Sequence, residues 1–323
     1  MWKTLIRRLI ILIPQLIGVT LLVFLLADLM PGDALSGQFA HDPNITAEME
    51  WELRESLGLN DPWPVQYTRW IGNMFRGDFG SSLLHRRPVV DIVGERMGNT
   101  LLLSLVSVVI LYGFAIPLGM IAGKHKGKPP EKIISFYNFI QMSFPAVVFA
   151  IILQWAFAIH LQVLPLRGSV DVRVLHDGFM AVWLSRLQHV LLPALSISLL
   201  AGVGVIQFLA NEIHDQKNAD YTTMARAKGV SEEHIHTKHI FRNSILPIAA
   251  SSGGIVVGLF SGAIIIENIF TFQGMGQLFV GSISSGDWPV VNFLVVFYSS
   301  LTVVGFLISD IMLTLFDPRI RIK

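Results

Sequence analysis

DYTTMARAKGVSEEHIHTKHIFRNSILP, residues 220–247, holds ten charged or histidine side chains and a single glycine. It lies between two of the most apolar runs in the chain, about 189–210 and 246–271. A helix rises about 1.5 Å per residue, so roughly 20 mostly apolar residues cross a hydrocarbon core. Both flanking runs meet that length. The polar stretch is therefore a connection between two membrane spans, and the fold class that follows is an all-α integral membrane protein.

Four further runs qualify, about 9–29, 99–122, 133–160 and 290–316, which makes six spans. The whole chain agrees with this reading: of 323 residues, 52% are hydrophobic and 15% charged, with a mean hydropathy of +0.58. That balance is too apolar for a soluble domain. The run from Leu9 to Leu29 is longer than a signal-peptide core and is followed by PGD rather than small residues, so it reads as a retained first span. Pro14, Pro117, Pro145 and Pro193 fall within spans and are expected as kinks, since neighbouring helices can satisfy the freed carbonyls. There is no cysteine, which excludes disulfides, thiolate metal sites and thiol catalysis. A net charge of +1 offers no general attraction for nucleic acid.

Lys and Arg in the short connections set the orientation. One side collects Lys3, Arg7 and Arg8, then Lys124, Lys126, Lys128 and Lys132, then Lys217, Arg226, Lys228, Lys238 and Arg242, and finally Arg319, Arg321 and Lys323. The other side has Arg167, Arg173 and Arg186, and none between 272 and 289. Both termini and the 220–247 stretch are expected in the cytoplasm. The connection from Pro31 to Gly98 is too long for the rule and belongs outside. Within it, TAEMEWELRESLGLNDPW reads as a short helix with Thr46 as N-cap and Gly58 as its stop. GDFGSS at 77–82 reads as a turn, and PVVDIVGERMGNT as a helix lying on the outer surface ahead of the second span. This region forms a small extracytoplasmic cap. The expected organisation is 1–98 as first span plus outer loop, 99–316 as a five-helix core that includes 211–245, and 317–323 as a cytoplasmic tail.

Within the cytoplasmic connection, Asn211 to Lys228 is compatible with one helix, with Ile213, Tyr221, Met224, Ala225 and Ala227 as a modest apolar face. Gly229 permits a turn at positive φ, and Ser231 followed by Glu232 and Glu233 opens a second helix. A solvated loop and a docking surface suit this pattern about equally. The apolar patch, which would otherwise stay wet, is the one counterweight in favour of docking.

Other chemistry is poorly supported. A phosphate-binding loop needs GxxxxGK[ST], and the nearest strings, GMIAGK at 119–124 and GKHKGK at 123–128, have the wrong spacing and no following hydroxyl residue. His234, His236 and His239 suggest a metal site, but in an α-helix only 236 and 239 are neighbours, so a solvated or protein-contacting role is favoured and no metal is expected. There is no HExxH. Asp28, Glu267 and Asp310 lie within spans, where each charge would cost roughly 2.5–3.5 kcal/mol at a helix centre. Asp28 and Asp310 are near span ends. Glu267, beside Asn268, is deeper, and lining a translocation path and fixing helix packing are equally open to it.

DYTTMARAKG followed by HIFRNSILP resembles the cytoplasmic loop of permease subunits of bacterial ABC importers, in the oligopeptide, dipeptide and nickel branch. The likeness runs the whole length: MPGD after the first span, SLGLNDPWPVQYTRW and GDFGSS in the outer loop, IPLGMIAG in the second span, ENIFTFQGMGQL after the fifth, SD in the sixth and the tail DPRIRIK. The resemblance implies a type I importer permease fold in the bacterial inner membrane, with no enzymatic activity of its own. It implies a second homologous permease, two ATPase subunits that bind ATP and magnesium, and an extracytoplasmic substrate-binding protein, with no cofactor in this chain. Asp220, Tyr221, Ala225, Arg226, Ala227, Lys228 and Gly229, then His239, Arg242, Asn243 and Pro247, are implied to form coupling helices seated in an ATPase cleft. The family's wider Glu-Ala-Ala pattern is met here by Thr223, Met224 and Ala225, so a glutamate contact is not implied. NEIHDQKN at 211–218, Gln273 and Ala34 are further departures, touching details of the partner surface. Peptides are the implied cargo; the alternatives are nickel or another small solute, or, in a different class, an ion-coupled secondary transporter using Glu267. A membrane enzyme lacks any assembled nucleophile, base or metal set.

Overall fold

Five of the six apolar runs each fall on one helix, and the run 133–160 on a broken pair, in the computed structural model, which describes residues 2–29, 46–56 and 58–316. The helices, in order, are α1 (Trp2–Leu29), α2 (Ala47–Ser56), α3 (Trp63–Phe75), α4 (Val89–Lys124), α5 (Pro129–Ser143), α6 (Ala146–Gln154), α7 (Phe179–Lys217) and α8 (Asp220–Ala227). Then follow α9 (Glu232–His234), α10 (Phe241–Ser244), α11 (Leu246–Ile269), α12 (Met275–Ser285) and α13 (Trp288–Phe316). Two π-helical turns, Trp155–His160 and Ile235–Ile240, and a 3-10 turn, Val172–His176, complete the set. Among the described residues the one β-type pairing is an isolated bridge between Ser81 and Pro88. The tail 317–323, the PGD segment with Ala34, and the side chains of Asp28 and Asp310 lie outside the described residues.

α4, α7 and Trp288–Ser309 are each long and apolar enough to cross a membrane. Pro14, Pro117 and Pro193 sit inside continuous helices and do not end them. Pro145 does not. Phe144 before it takes an extended backbone, α5 ends at Ser143, and the two halves of the expected third span are bent by 104°. The residue before a proline is pushed away from helical geometry, and here no neighbour restores it. A second correction concerns residues 89–98: they are the first turns of α4, not a separate surface helix. At 36 residues α4 is about 54 Å long against a core of about 30 Å, so its first third extends past the apolar run.

The chain divides into two compact units, Met1–Asn99 with Gly274–Val303, and Thr100–Gln273 with Val304–Lys323. Residues 274–303 thus cluster with the N-terminal part. In the first unit α3 lies along α1, with Tyr67 and Trp70 around Phe24 at ring separations of 5.2 and 5.4 Å. Thr46 accepts the Met49 amide at 3.3 Å and Gly58 takes φ +67°, so the expected start and stop of α2 are in place. The GDFGSS turn is held by Asp287, whose buried carboxylate accepts both the Ser82 hydroxyl and, at 3.0 Å, the Leu83 amide. Phe79 meets Phe293 edge to face at 4.7 Å beside it.

In the second unit small residues bring helices together. A Cβ on Gly123 would stand 2.7 Å from Ile213, and one on Gly119 3.0 Å from Leu209, so the G-x-x-x-G of α4 is the surface on which α7 packs. Gly253 and Gly305 bring α11 against α13 so closely that a Cβ on Gly253 would overlap the Gly305 carbonyl. Gly253 also donates its amide to Ser309 at 3.0 Å. The core between these helices includes Leu111, Ile206, Leu209, Ile213, Ile235 and Ile240.

Candidate coupling element

α7 stops at Lys217 and the chain restarts as α8 at Asp220, so the single helix expected over 211–228 is two helices broken at Asn218 and Ala219. The break is fastened from α8: the buried Thr222 hydroxyl donates to the Gln216 carbonyl at 2.8 Å, and the Tyr221 hydroxyl to the Gln216 side chain at 2.6 Å. The expected apolar face is divided accordingly. Ile213 is buried on α7, whereas Met224 is 59% exposed on α8. Asp220 stands in the first turn, where its charge complements the helix dipole, but Ala219 holds the cap position and no side chain caps the helix.

The end of α8 is a Schellman turn. Gly229, at φ +76°, donates to the Arg226 carbonyl at 2.9 Å, and Val230 donates to the Ala225 carbonyl at 3.2 Å. Arg226 closes the turn from outside through a 2.6 Å bond to Glu232. That bond holds the Glu232 carboxyl below, and the Arg226 guanidinium above, their ordinary values. Ser231 precedes the second limb but makes no capping bond.

The second limb is anchored by Ile235 and Ile240, both fully buried. At 3.6 residues per turn, residues five apart diverge by about 140°, so an α-helix could not bury both. The π-helical turn aligns them. It also brings together the rings of His234 and His239, 6.0 Å apart, in place of the expected 236 and 239. Among the described residues no three His, Cys, Asp or Glu side chains are grouped to hold a metal. The limb leads through α10, where Arg242 is exposed and Asn243 partly buried, into α11, with Pro247 in its first turn where a missing amide costs nothing.

What results is a polar arm whose outward side carries Asp220, Thr223, Met224, Arg226, Ala227 and Lys228, all exposed. Its inward side, Thr222, Ala225, Val230, Ile235 and Ile240, is fixed to the unit. Glu267 and Asn268 are not part of it, lying about 30 Å further along α11. Glu267 is fully buried and accepts the Thr100 hydroxyl at 2.8 Å, while the exposed Asn268 donates to the Ile264 carbonyl at 2.7 Å. The π register and the Asn218–Ala219 break were not anticipated. The five-residue spacing of Ile235 and Ile240 was the available signal for the first; the second had none.

The described residues thus form an all-helical protein whose apolar helices are interrupted by an anchored, outward-facing polar arm. The comparisons narrow this. Residues 115–322 match the family described as binding-protein-dependent transport system inner membrane component, and residues 1–106 match its N-terminal counterpart. The oligopeptide transport system permease protein AppB of Bacillus subtilis is 36% identical over 317 residues, 98% of each chain. The glutathione transport system permease protein GsiC is 31% identical over 318 residues in Escherichia coli K12 and over 317 in Salmonella typhi, again 98% of each chain. The chain belongs to this family: it is a multi-pass permease component of an ABC importer.

Proposed function

We propose that the chain forms, with a second permease, the translocation path of a peptide importer, and that residues 220–247 are its coupling element. The relatives' names favour a peptide cargo, since one set handles oligopeptides and the other glutathione, itself a small peptide. The observation that carries the coupling role is the fixed exposure of Met224 beside Thr223, Ala227 and Lys228, on an arm whose reverse side is bonded to the helices. An arm of this kind transmits a push; a solvated loop would absorb it. In this reading both termini are cytoplasmic and the arm sits in a cleft of an ATPase subunit, with ATP and magnesium bound there and none in this chain.

ATP-driven closure of two ATPases would move the arm, and α7 and α11, joined to its two ends, would carry the displacement into the path. Gly229 supplies the turn, Arg226 braces it, and Asp220 sets the polarity of α8. Tyr221, Ala225, His239, Asn243 and Pro247 hold the arm's shape, and Lys228 and Arg242 face the partner. A substrate-binding protein would meet the opposite side. Glu267, bonded to Thr100, fixes packing, while Asn268 is the exposed candidate for the path.

The test is gentle purification of the tagged chain from its own membrane, followed by mass spectrometry of what accompanies it. A second permease and ATPases bearing phosphate-binding loops are expected. A solitary chain that still moves solute under a proton gradient would contradict the proposal and favour a secondary transporter.

A further inference from the structure

The end of α4 and the second limb of the coupling element enclose a cavity of about 280 Å³. Met120, Ile121 and Phe241 give its lining an apolar side, called its floor here, and Lys124, His125, Glu233 and His236 give it a polar side, called its rim. Lys217 lies beside the rim, its Nζ donating to the Lys124 carbonyl at 2.9 Å, and the charges of Arg226, Lys128 and Lys124 bear on it. Burial first, and then Arg226, holds the Lys217 amine below its ordinary value; burial and then Lys217 and Lys124 do the same to His236. Glu232 is bonded to Arg226, and Glu233 lines the cavity.

We propose that this cavity binds the headgroup of an anionic phospholipid, its phosphate on Lys124 and His236 and its first methylenes on Met120, Ile121 and Phe241. Lys124 in the lining and Lys217 beside it select the head. The floor selects the tail, because a free hydrated anion gains nothing from an apolar surface that it dries. Ile121 is exposed, so the floor continues onto the apolar flank of α4, along which an acyl chain can lie. The volume is slightly below the roughly 300–1,000 Å³ of pockets that enclose whole small ligands, which suits a headgroup and not an entire lipid. Basic pockets between spanning helices on the cytoplasmic side recur as sites for such headgroups. The inference rests on the orientation proposed above, which brings the end of α4 to the cytoplasmic surface. A lipid held here would tie the second limb of the arm to α4, making coupling depend on membrane charge.

The permease pair, freed of ATPases, is tested for retention of phosphatidylglycerol by native mass spectrometry from discs that also contain phosphatidylcholine. Selective retention is expected for the wild type, and Lys124→Gln weakens it roughly fivefold, the worth of one cation near an anionic surface. Lys126→Gln, the same charge change at a residue that does not line the cavity, leaves it unaltered. In the complete transporter, phosphatidylglycerol raises ATP hydrolysis driven by the binding protein, and less so in Lys124→Gln. Equal retention by the two variants would overturn the proposal in favour of diffuse surface attraction. Stimulation by inorganic phosphate in phosphatidylcholine discs would replace the lipid with a soluble anion, and loss of retention once the ATPases bind would assign the face to them. Because retention is read without ATPases, selective retention in a chain that fails to recruit ATPases would support this proposal and contradict the coupling reading alone.

Discussion

Gly229 is the residue on which the arm turns, and its environment separates two reasons for a glycine. Nothing lies within 4 Å of where its Cβ would stand, so a side chain there meets open space and the whole cost is backbone strain at φ +76°. That strain is roughly 1–2 kcal/mol for an ordinary L-residue and is least for asparagine. Gly229→Val is therefore expected to abolish transport-coupled ATP hydrolysis while membrane insertion is unchanged, and Gly229→Asn to keep most of it; equal coupling in all three would contradict the lever role. Asp287 makes the complementary case of a residue that must accept. Asp287→Ala leaves the Ser82 hydroxyl and Leu83 amide without their acceptor, about 1–3 kcal/mol for each such buried group, which a lowered melting temperature would register. Asp287→Asn retains one acceptor oxygen and should lose less.

The arm also titrates. The Arg226 bond holds the Glu232 carboxyl low, so its contribution is present above the ordinary carboxylate value and is lost as pH falls through the lowered one. His236 is held low by burial and then by Lys217 and Lys124, so the folded arm refuses a proton that the unfolded arm accepts. Its stability is full above the ordinary histidine value and declines as pH falls from there. In zwitterionic detergent, amides of residues 232–240 should lose protection between about pH 7.5 and about pH 5.5, after correction for intrinsic exchange, and His236→Gln should blunt that loss. A flat profile in the wild type would remove His236 from the account.

Among the elements, close helix contacts make the sharpest prediction. A Cβ on Gly253 meets the Gly305 carbonyl, whereas Gly254, its neighbour, has nothing within 4 Å. Gly253→Ala should lower stability by at least the roughly 1–3 kcal/mol typical of overpacking, and Gly254→Ala should not, since alanine is the better helix former. Similar melting temperatures for the two would mean that α11 and α13 are not packed as described. Which elements were legible in the sequence follows from the same physics. Apolar runs of spanning length located all six helical regions, and Thr46 and Gly58 bounded α2, because length and caps are local properties. The break at Pro145, the fusion of 89–98 with α4 and the π turn were not legible. Each depends on what packs alongside: proline kinks or ends a helix according to its neighbours, and Ile235 and Ile240 share a face because both are buried. Glu267 stood out as a deep charge, yet its partner Thr100, distant in sequence, could not be named.

For the whole molecule, the site was legible as a place and not as a shape. Charge asymmetry and the 220–247 stretch marked the connection proposed to face a partner, and the likeness to the family was legible over nearly all of the chain. The split at Asn218–Ala219, which leaves Met224 rather than Ile213 outward, appears in the structure alone. The chain has no cysteine, so a single one introduced by Met224→Cys is a unique probe. In the reconstituted transporter, a short thiol-reactive photocrosslinker at 224 should capture an ATPase subunit, with the yield changing when ATP is added, while the same probe at Val172→Cys should not. Capture of no ATPase from 224, in a complex that still transports, would contradict the claim that this arm is where ATP hydrolysis is coupled to movement of the path.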